Sequence, residues 1–69
     1  MATSGKYDPV GTSGGRTLYK KSSQDSNGND WYFQYNQSTG KFEFAATTET
    51  VPGTGDFDED ALSKYSVYF

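Results

Sequence analysis

The sequence has 69 residues, no cysteine, no histidine and a formal net charge of −3. A chain of this length fits one small domain, which excludes most enzyme architectures. The missing residue types exclude disulfide bonds, Cys/His zinc sites and the common forms of nucleophilic catalysis. We therefore expect a protein that is not an enzyme and that binds no cofactor.

The apolar residues are mostly aromatic. Twelve are Tyr, Phe or Trp, whereas the large aliphatic residues are only Val10, Leu18, Val51, Leu62 and Val67. Aromatic side chains bury large areas, so a small aromatic core is feasible. A core in so short a chain supplies only about 3–5 kcal/mol without disulfides or metals. We expect the chain to gain further stability from copies of itself or from a larger partner.

The N-terminal segment 1–15 is predicted to be a flexible arm, because it holds four of the eight glycines together with Ser, Thr and Pro9. The remaining residues, 16–69, are predicted to form a single small β-rich domain. Within it, Thr17, Leu18 and Tyr19 favour a first strand. A long polar turn should follow this strand.

The clearest prediction is a hairpin over residues 31–46, where aromatic and polar residues alternate on both sides of a Gly-containing turn. Pairing Tyr35 with Phe42 and Phe33 with Phe44 keeps the aromatic residues on one face, and a shift by one residue would lose this match. This register needs a four-residue loop whose glycine adopts the left-handed region. The first strand of the hairpin should be central in the sheet.

The C-terminal region is predicted to hold a short helix at 58–64 and a terminal strand at 65–69. Asp58 suits a helix N-cap, and Phe57 and Leu62 have the spacing of a hydrophobic staple. The predicted fold is thus mainly β: a small antiparallel meander of three to four strands, one short C-terminal helix and a flexible N-terminal arm.

The hairpin also carries two family resemblances. Residues 32–44, YFQYNQSTGKFEF, resemble the middle of a WW domain, with Phe44 in place of its second Trp and Thr47 in place of the expected Pro. Residues 31–42 are similar to one choline-binding repeat, a unit that occurs in arrays, and no second copy is present. The WW resemblance implies that aromatic residues of the hairpin bind proline-rich peptides.

Two acidic or Asn-rich clusters have the start of a calcium-loop spacing. One begins at Asp25 and the other at Asp56, but each lacks the glycine and the final glutamate of an EF-hand loop. We expect solvated turns there and no metal site. The acidic residues at 56–60 are likewise expected to start a solvated helix and not to act in catalysis.

Charge is divided unequally along the chain. Residues 1–41 hold five basic and three acidic residues, a balance of +2, whereas residues 42–69 hold one basic and six acidic residues, a balance of −5. This distribution argues against nucleic acid as a partner and favours complementary contact between neighbouring copies. The sequence has neither a secretory signal nor a membrane span, so we expect synthesis in a cytoplasm.

Two functional hypotheses follow. The first is a structural subunit whose N-terminal arm and C-terminal strand dock it on a larger assembly or on its own copies, such as a capsid decoration or tail accessory protein of a phage virion. The alternative is a small module whose exposed aromatic platform binds carbohydrate or a proline-rich peptide. The residues predicted to contact a partner are Trp31, Tyr32, Phe33, Tyr35, Tyr65, Val67, Tyr68 and Phe69.

Overall fold

The computed structural model describes residues 2–47, 49–53 and 64–69. In these residues the chain is mainly β and forms one antiparallel sheet of six strands, shaped as a half-barrel. The strands in chain order are β1 (Lys6–Ser13), β2 (Arg16–Lys21), β3 (Tyr32–Asn36), β4 (Lys41–Ala45), β5 (Thr50–Pro52) and β6 (Val67–Tyr68). Their order in the sheet is β5-β4-β3-β2-β1-β6, so β6 returns to the edge opposite β5.

The β3–β4 hairpin confirms the predicted register. Phe33 pairs with Phe44 and Tyr35 pairs with Phe42. Gly40 closes the four-residue loop with a φ of 71°, in the left-handed region that glycine adopts at no steric cost. Strand β3 lies between β2 and β4, which confirms its predicted central position.

The prediction of a flexible N-terminal arm is wrong for residues 6–13, because these residues form β1. Ser13 pairs with Arg16, and the two residues between them, Gly14 and Gly15, have φ values of 62° and 79°. Two left-handed residues between paired strands make a type I′ hairpin turn. The glycines that suggested flexibility therefore supply a tight turn, and the sheet has six strands instead of three or four.

Strand β1 tolerates a proline because its pairing is interrupted beside it. The register shifts between Pro9 and Gly11, which leaves Val10 as the extra residue of a β-bulge. At the other end of β1, the buried Tyr7 hydroxyl donates a hydrogen bond to the Thr3 carbonyl oxygen at 2.7 Å. Burial raises the pKa of Tyr7 to about 12, so this phenol stays protonated in the folded chain well above neutral pH.

The predicted terminal strand is confirmed at Val67–Tyr68, which is β6 and pairs with Tyr7 and Lys6 of β1. The predicted helix at 58–64 lies outside the described residues, apart from Lys64, which is not in a helix. The described residues contain no helix.

The core is a cluster of aromatic rings on one side of the sheet. Phe33 lies at its centre: its ring stacks on Phe42 with centroids 4.8 Å apart and meets the Phe44 ring at 4.9 Å. Four of the strands contribute to this cluster, and the loop before β3 adds Trp31. Curvature of the sheet into a half-barrel brings these rings towards one another. The buried apolar side chains are Tyr7, Tyr19, Trp31, Phe33, Phe42 and Phe44.

Replacing Gly14 with alanine should destabilise the fold. The φ at this position is 62°, and a Cβ would lie 2.6 Å from the carbonyl oxygen of Tyr35. We expect Gly14→Ala to lose about 1–3 kcal/mol of the free energy of unfolding, measured by urea denaturation followed through Trp31 fluorescence. Gly11→Ala is the matched control, since nothing lies within 4 Å of its Cβ position, and should change stability by about 0.5 kcal/mol or less. Equal losses in both variants would contradict this account of the turn.

Candidate functional site

Two members of the predicted aromatic platform are inside the protein. Trp31 is 2% exposed and Phe33 is 0% exposed, and both belong to the core cluster. A ligand that stacks on an aromatic ring needs an open ring face. Burial of these two side chains therefore argues against the platform hypothesis.

The other two hairpin residues, Tyr32 and Tyr35, are half-buried, and a cation lies near each ring. The Lys20 ammonium is 6.0 Å from the Tyr32 ring centroid, and the guanidinium carbon of Arg16 is 5.1 Å from the Tyr35 centroid. Both distances fall in the range of cation–π contact. A sugar or a proline ring would have to displace these side chains to stack on the same faces.

The loop before β3 is built around one carboxylate, that of Asp25. Its Oδ1 accepts hydrogen bonds from the backbone N–H groups of Asn27 and Asn29, each at 2.9 Å, and its Oδ2 accepts from the Trp31 indole N–H at 2.9 Å. The side-chain amide of Asn29 adds a fourth donor to Oδ2 at 3.2 Å. These hydrogen bonds lower the pKa of Asp25 to about 2. The bond from the Asn29 backbone N–H has the largest effect, and the bond from the Trp31 indole has the next largest.

This geometry gives the calcium-like spacing from Asp25 a structural role. The N–H groups that surround the carboxylate are donors, and a calcium ion would need the lone pairs that they occupy. Among the described residues, no three acidic side chains are grouped closely enough to hold a metal ion. Asp25 instead fixes the loop and provides the hydrogen-bond acceptor that a buried indole requires.

The C-terminal residues divide into an inner and an outer set. Tyr65 and Tyr68 are 81% and 73% exposed and, with Val10, are the large exposed apolar side chains among the described residues. Val67 and Phe69 are half-buried and pack against the core. The Phe69 ring centroid lies 5.3 Å from that of Tyr7, 4.7 Å from that of Phe33 and 4.9 Å from that of Phe44.

The backbone of β6 has one bonded side and one outward side. Gly5 and Phe69 exchange both hydrogen bonds at 2.9 Å, so the adjacent Lys6–Tyr68 pair is of the non-hydrogen-bonded type. Consistent with this, the Lys6 carbonyl oxygen accepts a hydrogen bond from the backbone N–H of Ser22, on the β2 side of β1. The N–H and C=O of Tyr68 must then point away from β1. We call this side of β6, with the Tyr65 and Tyr68 side chains, the C-terminal edge.

A polar contact outside the predicted site holds β6 on β1. The Ser66 hydroxyl donates to Asp8 Oδ1 at 2.6 Å, and the Lys6 ammonium lies 3.6 Å from the same oxygen. None of these three residues was predicted to matter. Ser66 and Asp8 are 58 residues apart in the chain, and no local pattern signals such pairing.

No family model matches the chain, and no curated protein or solved structure matches it. The likeness of residues 32–44 to a WW domain is thus unaccompanied by a family match. In the part of the chain that the structure describes, there is no helix of sufficient length and hydrophobicity to cross a membrane.

Replacing Asp25 with asparagine should loosen the loop and remove a pH dependence. Asparagine keeps one acceptor oxygen for the backbone donors but places an amide nitrogen opposite the Trp31 indole. The pKa of Asp25 is about 2 in the folded chain and about 3.8 in the unfolded chain. The contribution of this carboxylate to the free energy of unfolding is therefore fully present above about pH 4. That contribution is lost as the pH falls towards 2.

The measurement is urea denaturation followed by Trp31 fluorescence at pH 5 and pH 2.5. Wild type should lose more stability between these values than Asp25→Asn does, and the variant should be the less stable protein at pH 5. Asp30→Asn is the control for removal of a charge from the same loop, since the Asp30 carboxylate accepts a long, exposed hydrogen bond of 3.4 Å from the Gln24 side chain. An Asp25→Asn protein with the wild-type pH dependence would refute the role given to this carboxylate.

Proposed function

We propose that this chain is a non-enzymatic structural subunit that docks on a larger protein assembly, or on copies of itself, through the C-terminal edge. The observation that carries the proposal is the distribution of aromatic side chains. Those of the hairpin, apart from Tyr32, build the core or pack against it, whereas Tyr65 and Tyr68 are exposed beside an edge strand. The sequence suggested that the N-terminal arm also takes part in docking. Because residues 6–13 belong to the sheet, we assign docking to the C-terminal edge instead.

Edge strands are natural sites of association, because a partner strand can complete their unpaired backbone groups. The C-terminal edge offers the N–H and C=O of Tyr68 for this purpose. Tyrosine rings supply large apolar contact area with a polar tip and are enriched at protein interfaces. A strand of the partner that pairs beside Tyr68 would cover both the backbone and the exposed rings.

The size of the core also supports dependence on a partner. Six buried aromatic side chains supply the buried apolar core of the described residues, without a disulfide or a metal. Small domains of this kind commonly gain stability by association. The net charge of −3 and the absence of histidine and cysteine support a protein partner in preference to nucleic acid or a substrate. A phage virion, in which the chain would serve as a capsid decoration or tail accessory protein, stays a prediction about which assembly this is.

The test is the self-association of the chain, measured by sedimentation velocity from micromolar to millimolar concentration. Tyr68→Pro removes the outward N–H and leaves the bonds to β1, because proline is tolerated in an edge strand where its nitrogen faces solvent. We expect this variant to associate about tenfold more weakly, since each lost 1.4 kcal/mol is a factor of ten.

Tyr68→Thr is the matched control, because it removes the ring but keeps the N–H, and it should weaken association less. The thermal midpoints of both variants should stay close to that of wild type when measured at low concentration. A wild-type chain that is monomeric throughout and unfolds sharply above about 70 °C, beyond the usual mesophile range, would refute the proposed dependence on a partner.

A further inference from the structure

We infer that β6 is an exchangeable strand, and that residues 66–69 of one copy pair with β1 of a second copy when copies are held close together. The inference rests on the proposed function, because an assembly is what brings copies together. The partner that it assigns to β1 is residues 66–69 of a second, identical chain.

The receiving surface is already defined by contacts within one chain. Gly5 bonds Phe69 through the backbone, Asp8 accepts the Ser66 hydroxyl, and the Phe69 ring sits against core rings. All of these contacts join residues 66–69 to the body of the sheet. An identical segment from a second copy would satisfy each of them without a new side-chain arrangement, which is the condition for a low-cost strand exchange.

The connection to β6 is long enough for the exchange. Fourteen residues, 53–66, separate β5 from β6, and an extended chain of fourteen residues spans up to about 46–50 Å. The longest dimension of the fold is only 30 Å. The number of residues in the connection is therefore sufficient to reach the β1 edge of an adjacent copy.

The attachment of β6 is also small enough to be released. The strand has two residues, lies at the edge of the sheet and pairs only with the start of β1. Its departure leaves the other five strands paired with one another. Because the exchanged and closed forms contain the same contacts, local concentration decides between them, and a tethered segment competes at an effective concentration in the millimolar range.

The experiment uses the absence of cysteine from the chain. Lys6 and Tyr68 are direct cross-strand partners in a non-hydrogen-bonded pair, and both side chains are exposed. Single variants Lys6→Cys and Tyr68→Cys of the full chain are mixed at about 1 mM, where copies compete with the tethered segment, and oxidised mildly. Disulfide-linked heterodimers are measured by non-reducing electrophoresis and mass spectrometry.

The matched control pairs Tyr68→Cys with Lys41→Cys, which places the second thiol at an exposed position of β4 that does not pair with β6. We expect at least tenfold more heterodimer from the Lys6 pair than from the Lys41 pair. Equal yields would overturn the inference. The double variant Lys6→Cys with Tyr68→Cys should form an intrachain disulfide at micromolar concentration, and its failure to do so would refute the register on which the exchange depends.

Failure of the inference is distinguishable from failure of the proposed function. Association that Tyr68→Pro weakens, combined with equal heterodimer yields, would mean that copies or foreign strands dock on the outer side of β6 without exchange. The exchange would then be wrong and the docking function would stand. Selective heterodimers together with association that Tyr68→Pro does not change would support the exchange and contradict docking through the outer edge.

Discussion

The ring of Phe33 is the contact on which the rest of the structure depends. It stacks on Phe42, its cross-strand diagonal neighbour, and touches the rings of Tyr19, Phe44 and Phe69. These partners come from three separate parts of the chain: the second strand, the hairpin partner and the C-terminal segment. Among the described residues, the curvature of the sheet brings these rings together around Phe33. The half-barrel therefore suits a core built almost entirely from aromatic side chains.

The β3–β4 hairpin could be predicted from the sequence, whereas the β1–β2 hairpin and the contacts between β1 and the C-terminal residues could not. The β3–β4 register follows from alternation around a glycine turn, because a slip by one residue moves a whole aromatic row to the wrong face. Strand β1 was missed because its composition is that of a linker. The pair Gly14–Gly15 is equally typical of flexible segments and of type I′ turns, and only the burial of Tyr7 against the sheet decides between them. The amino-acid composition of a segment reports its intrinsic strand propensity. It does not report the stability that pairing with a neighbouring strand adds.

The candidate site, too, could be predicted from the sequence only in part. The sequence predicted a terminal strand at 65–69; the structure places a strand at Val67–Tyr68 and shows that Val67 and Phe69 are the side chains that meet the core. The assignment of Trp31 could not be made from the sequence, since an aromatic ring at the start of a hairpin strand suits either a platform or a core. The deciding feature is the Asp25 carboxylate six residues earlier, which satisfies the indole N–H and so makes burial of the ring favourable. The same residue had suggested a calcium loop only because its neighbours also carry oxygen atoms.

The two sides of β6 connect docking to stability. Phe69 completes the core around Phe33, while the adjacent Tyr68 faces outward with its backbone groups. A partner that pairs with the outer side of β6 holds the strand in place and thereby keeps the Phe69 ring in the core. By linkage, any ligand that binds only the state with β6 attached stabilises that state by an amount set by its concentration relative to its Kd. In an isolated chain, β6 is held by its short pairing with β1, the Ser66–Asp8 hydrogen bond and the packing of the Phe69 ring. A small aromatic core that is completed by an edge strand is most stable where that edge is occupied, and this is the physical argument behind the proposed docking.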